Sequence, residues 1–214
     1  SLRYKAIGIY SESDMADSNV PKRPGTMAGD IKIWDANGDG EINSLDRIRQ
    51  DLTDIPQIVY GVNLGITWKQ FDLSLLFQGQ AKVINTIQET WVDPSSGGAG
   101  NLMQWWTEDM WTPENTDGTK PRLGTPNKIN GTTFTNINAA FFKLKNAEIG
   151  YTLPVAVREK IGVANARVYL SGTNLFSFDH MRGMGIDPEA TGSGYGGWAL
   201  NPQRLINLGV NVSF

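Results

Sequence analysis

The last nine residues alternate without a break: Ile206, Leu208, Val210, Val212 and Phe214 are apolar, while Asn207, Gly209, Asn211 and Ser213 are polar or glycine. A period of two sends neighbouring side chains to opposite faces of an extended chain, so this segment is a strand with one apolar and one polar side. Two settings suit such a strand: a half-buried sheet in water, or a barrel wall between lipid and a wet lumen. What meets its apolar side has to be decided by the rest of the chain.

Similar patterning recurs, and about six strands are expected, near residues 2–10, 57–68, 71–79, 141–153, 166–178 and 204–214. In the second, Ile58, Tyr60, Val62, Leu64, Ile66 and Trp68 share a face; in the third, Phe71, Leu73, Leu75 and Phe77 do. The fourth changes phase, from Phe142 and Leu144 to Ile149, Tyr151 and Leu153, which predicts a bulge near 145–147. The first is poorly phased. Connections alternate in length. Short ones are Lys69-Gln70 and the stretch 154–165, where 155–161 suits a turn or two of helix; long ones span 11–56, 80–140 and 179–203. Loops of that length are unusual in compact soluble domains, whereas outer-membrane barrels pair short periplasmic turns with long extracellular loops. With a periplasmic carboxyl terminus, every short turn falls on one side and every long loop on the other. The fold class expected is therefore all-β: an antiparallel transmembrane β-barrel segment with long extracellular loops.

Composition narrows the function. A net charge of -3 argues against nucleic acid, which needs a basic footprint. With no cysteine, disulfides and thiolate metal sites are excluded. No apolar run is long enough for a membrane helix, no signal peptide is visible, and the chain begins with Ser1, so a fragment with its targeting information upstream is expected. About six strands are also too few to close a bacterial barrel.

The sharpest local motif runs from Asp35 to Asp46. Asp35, Asn37, Asp39, Asn43 and Asp46 supply oxygens at positions 1, 3, 5, 9 and 12 of a calcium loop, Gly40 provides the turn, Ile42 the apolar position, and Glu41 a backbone carbonyl. Asp46 stands where an EF-hand has glutamate, and 31–34 reads as extended, so a structural Ca²⁺ that stiffens a loop is expected, with a solvated turn as the alternative. Aromatics gather in the longest loop: Trp91, Trp105, Trp106 and Trp111, with Leu102, Trp106 and Met110 at helical spacing. Tyr195 and Trp198 lie in a glycine-rich stretch. Each has two readings, a loop's own core or a platform for a ligand or partner.

Catalysis finds little footing. His180 is the one histidine, and the carboxylate pairs Glu108–Asp109 and Asp187–Glu189 read as solvated loop surface, as do Arg158, Lys160 and Arg167. An enzyme is not expected. A soluble dockerin-like or lectin-like β module, binding a glycan or protein through the Asp35–Asp46 loop and the tryptophans, is the alternative.

Several segments together resemble the carboxyl-terminal part of SusC/RagA-type TonB-dependent outer-membrane transporters of Bacteroidota. They are Tyr4 to Tyr10, Pro24-Gly25 through Gly29-Asp30-Ile31 into the Asp35 loop, and Tyr60-Gly61-Val62-Asn63-Leu64. Further along come Phe71-Asp72-Leu73-Ser74 with Phe77-Gln78-Gly79, Trp111-Thr112-Pro113-Glu114-Asn115, and Leu144-Lys145-Asn146 with Gly150 to Pro154. Val168 to Phe176 and the terminal strand complete the set. The resemblance implies a barrel of roughly 22 strands whose plug and TonB-contacting parts lie outside residues 1–214, all of which belong to one barrel domain. It further implies import of oligosaccharides or peptides, driven by the TonB complex, through a barrel in outer-membrane lipid capped by a SusD-like surface lipoprotein. None of the family's substrate residues maps onto a motif here.

Overall fold

The computed structural model describes residues 2–87, 102–124, 131–189 and 201–214. In chain order its strands are β1 (Leu2–Tyr4), β2 (Ala6–Ile9), β3 (Ile31–Ile33), β4 (Arg47–Arg49), β5 (Ile58–Trp68), β6 (Phe71–Ala81), β7 (Ile84–Thr86), β8 (Asn136–Asn138), β9 (Phe141–Thr152), β10 (Asn165–Asp179) and β11 (Leu205–Ser213). Helices α1 (Glu12–Ala16), α2 (Gln104–Thr107) and α3 (Val155–Ile161) are short. Among the described residues no helix is long and apolar enough to cross a membrane, which says nothing of strands.

The five long strands make one sheet in the order β11-β10-β9-β6-β5, every neighbour antiparallel. Lys69 and Gln70 turn β5 into β6, with Lys69 in the left-handed region at φ 54°, and α3 lies in the connection from β9 to β10. Long connections leave from the opposite end of the sheet, as the loop-length pattern predicts.

Register assigns the faces. Trp68, Phe71, Tyr151, Val168 and Val210 form one cross-sheet row; Ile66, Leu73, Ile149, Leu170 and Leu208 form the next. Among the described residues nothing covers these rows: Leu208 is 75% exposed and Ile66 60%. The other face carries Asp72, Ser74, Gln78, Lys143, Glu148, Arg167, Ser171 and Asn207. The predicted bulge is present. Pairing with β6 steps from Leu76↔Asn146 to Phe77↔Leu144, leaving Lys145 as the extra residue of β9, while pairing with β10 steps from Thr173↔Asn146 to Phe176↔Leu144, with two residues of β10 opposite Lys145. One inserted residue flips the parity below it, so Phe142 and Leu144 rejoin the apolar side occupied by Ala147, Ile149 and Tyr151.

The strand expected over 2–10 forms but does not join this sheet, which has five members rather than six. Its first half, β1, pairs with β4 and its second, β2, with β3, the register slipping between Ala6 and Gly8. Lacking a continuous two-residue period, this segment finds partners in short pieces of the connection that follows it. Those three-residue strands, with the β7–β8 pair, were not foreseen, because three residues carry too little periodicity to read.

Residues buried from solvent cluster in the long connections. Tyr4, Ile31, Ile33, Ile42, Val83, Ile87, Trp106, Ala139, Met181 and Ile186 form one hydrophobic core, drawn from connections far apart in sequence. This loop body sits at one end of the sheet. Beside it, Gly29 has φ 86°, and a methyl group there would collide with the Trp111 ring, so both backbone and space demand glycine. Gly29→Ala is expected to cost about 2 kcal/mol locally, speeding amide exchange of 29–33 and 111–122 roughly thirtyfold by that same figure while the β5–β6 hairpin is unchanged; uniform exchange rates would show that Trp111 is not anchored there.

Candidate functional site

Two groups of charged side chains cross-link the polar face of the sheet. Near the short-turn end, Arg167 on β10 reaches over β9, where Gly150 leaves room for its guanidinium, to Asp72 on β6, and also contacts Glu148 at 2.7 Å. Arg167 is therefore not part of the solvated face expected from sequence: a cation at a polar-parity position of a middle strand finds carboxylates on the strands beside it.

The second group lies toward the long-connection end. Lys143 Nζ is 2.5 and 2.6 Å from the Asp187 carboxylate oxygens and 2.8 Å from Glu189, while Lys145 holds Glu189 at 2.9 and 3.0 Å. The Lys143 side chain is 3% exposed. Asp187 and Glu189 thus form neither an acid–base pair nor free surface; each is the counter-ion of a wall lysine. Burial pushes the Glu189 carboxyl up, but hydrogen bonds from Lys143 and Lys145 outweigh it and hold the group below the usual range. Removing both carboxylates would leave the buried Lys143 ammonium unpaired, at a cost of about 3–5 kcal/mol. These lysines escaped the sequence reading, although a lysine at polar parity beside a bulge was the available signal.

Asp187 also lines a cavity of about 310 Å³ with Asp179, Arg182, Asn201 and Arg204. Asn201 clamps this loop, donating to the Gly185 carbonyl at 2.7 Å and accepting from the Asp187 N–H at 2.9 Å. His180 is exposed, on a shallow cleft with Tyr60 and Phe178.

The Asp35–Asp46 segment links β3 to β4 and is pinned by Ile42 in the loop core. Its side chains fold it inward: Asp35 accepts from the N–H groups of Gly38 and Gly40, Asn37 from that of Asp39, and Asp39 from that of Glu41. Asp46 is wholly buried, accepting from the N–H groups of Ala36 at 2.9 Å and Asn43 at 2.7 Å. Burial pushes its carboxyl up, yet those backbone hydrogen bonds prevail and keep it below the usual range, hence charged. The oxygen donors suit a hard cation, while among the described residues no three carboxylate or histidine side chains already converge as a metal site.

The aromatic candidates separate. Trp106 is 3% exposed, edge-on to Trp105 and Phe134, and Trp111 is buried against Gly29. Their burial fits the loop-core reading. Trp105 is partly buried against the same core, and the indole nitrogens of both Trp105 and Trp106 have no acceptor among the described residues. α2 covers Gln104–Thr107, shorter than the spacing of Leu102, Trp106 and Met110 suggests, and Met110 instead bridges Lys120. Trp91, Tyr195 and Trp198 lie outside the described residues. Glu108 accepts from Gln104 at 2.7 Å, and the Thr119 hydroxyl and N–H hold the Asp109 carboxyl below the usual range.

No family model matches the chain. It is 29% identical over 98% of its length to TonB-dependent receptor P26 of Formosa agariphila, and 30% identical over 99% to TonB-dependent receptor P3 of the same organism. The chain spans 22% of each relative. Among solved structures it matches the RagAB peptide transporter with a TM-score of 0.69 at 24% identity, and the RagAB peptide importer in the open-open state with a TM-score of 0.67 at 23%. All of this chain and 22% of each solved chain are covered, a likeness that shows the fold. Relatives along its whole length and an all-β fold shared with these transporters make the chain a segment of a TonB-dependent receptor.

Proposed function

We propose that the chain supplies barrel wall and extracellular loops to the carboxyl-terminal part of a SusC/RagA-type importer in the outer membrane, neither an enzyme nor an independent binder. The observation that carries this reading is the two-sided sheet: one face is apolar, continuous across five strands and uncovered, and the other is charged and cross-linked. Such a wall suits lipid outside and water inside. A soluble module would bury that apolar face, which speaks against the dockerin-like or lectin-like alternative.

In this reading the end bearing Phe214 and the two-residue turn is periplasmic and the loop body extracellular. The solute is an oligosaccharide or a peptide; the solved neighbours named as peptide importers lend weight to the second. TonB drives uptake through parts outside this chain, and a SusD-like lipoprotein is the partner expected at the loop body, with Trp105 the candidate contact. Residues 35–46 hold a structural Ca²⁺ that stiffens the link between β3 and β4, through Asp35, Asn37, Asp39, Asn43, Asp46 and the Glu41 carbonyl.

In the full-length receptor, Leu170→Arg is expected to cost about 2–4 kcal/mol at mid-wall and to deplete the outer-membrane fraction, whereas Ser171→Arg on the polar face assembles normally. Equal assembly of the two, scored by heat-modifiable mobility of membrane fractions, would refute the lipid assignment. For the cation, calorimetry should detect Ca²⁺ binding that is lost in the Asp35→Asn, Asp39→Asn double variant; no heat from the unmutated receptor at millimolar Ca²⁺ would mean that 35–46 is a turn alone.

A further inference from the structure

Lys143 and Lys145 differ from the other ion-paired cation of the sheet in where their counter-ions come from. Arg167 is neutralised by Asp72 and Glu148, which sit on neighbouring strands and cannot leave. The two lysines are neutralised by Asp187 and Glu189, which sit on the connection between β10 and β11. Both ammonium groups reach the same carboxylate, that of Glu189. Wall charge is thus matched from a connection rather than from a strand.

We propose that Lys143 and Lys145 form an anion-binding position on the inner wall which Asp187 and Glu189 occupy as an internal stand-in, and that a carboxylate-bearing solute releases the loop by taking their place. This rests on reading the polar face as the lumen. Three observations support it. Lys143 is 3% exposed with the loop in place, so release strips a buried ammonium of both counter-ions and favours the state in which another anion takes their place. The adjoining cavity of about 310 Å³ gives an incoming solute room beside the tether. Its Arg182 and Arg204 form no ion pair among the described residues and outnumber the one further carboxylate, Asp179, so the cavity keeps a positive excess that attracts the same chemistry. Release is then a population shift, driven by the solute's preference for the state in which the lysines are free.

The test uses the purified full-length receptor in detergent, with succinate as probe because its two carboxylates match the pair they replace, and sodium chloride at equal ionic strength as control. Succinate should speed amide exchange across 181–189 at least tenfold while chloride does not. Asp187→Asn with Glu189→Gln should bring fast exchange without succinate, and calorimetry should find succinate bound at least tenfold tighter than by the unmutated protein, the stand-in being gone. Lys143→Met with Lys145→Met should abolish that binding. Equal acceleration by chloride, or no gain in succinate affinity in the carboxylate variant, overturns the proposal; should that variant fail to assemble, the succinate-against-chloride comparison on the unmutated receptor decides alone. These are equilibrium measurements, so they probe the tether whether or not the receptor transports the probe, and a static tether leaves the import reading standing.

Discussion

Inter-strand backbone pairing along β5, β6, β9, β10 and β11 is the interaction from which the rest follows. It closes the N–H and C=O groups of the three inner strands on both sides, leaving the two side-chain faces free to differ completely. A soluble sheet derives much of its stability from a face packed on a core; here the apolar face has no partner among the described residues, and the buried apolar residues lie chiefly in the connections. In the proposed reading the sheet depends on its surroundings, lipid on one side and further strands at the β5 and β11 edges. The loop body, by contrast, carries a core of its own.

Charge is distributed accordingly. At the short-turn end, strand carboxylates hold Arg167 rigidly across three strands, an arrangement that Gly150 permits by having no side chain in the way. At the other end the counter-ions arrive from a loop, so the wall there is tied to an element with its own packing, Met181 and Ile186 being buried in the loop core a few residues before Asp187. The lysine tether thereby adds an ionic link between sheet and loop body, which the hydrogen bond from Gln80 on β6 to the Ala139 carbonyl also joins.

Much of the sheet was legible in the sequence because barrel strands advertise both faces: the alternation from Ile58 to Trp68 and from Ile206 to Phe214 specified strand, parity and register sense, and the phase change in 141–153 located the Lys145 bulge. The loop body was not legible. Its strands span three or four residues each, and its pairings join segments such as Tyr4 and Thr132, whose proximity no local pattern records. The carboxylates Asp187 and Glu189 were visible as a pair, but their meaning depended on which wall residues lay opposite, and that is set by register across a connection. Burial likewise separated Trp106 and Trp111 from Trp105, which in the sequence are equivalent indoles.

The shared core of the loop body bears on how such a molecule can change over generations. Connections in a barrel are usually pictured as independent fingers, each free to lengthen or mutate while its neighbours stay put. Here Ile33, Val83, Trp106, Ala139 and Met181 interlock, so a substitution in one connection is felt in the others. If the chain serves the proposed import, new specificities are therefore expected to arise at solvent-facing positions such as Met27 and Leu123, or by coordinated change in several loops, rather than by exchange of a single one.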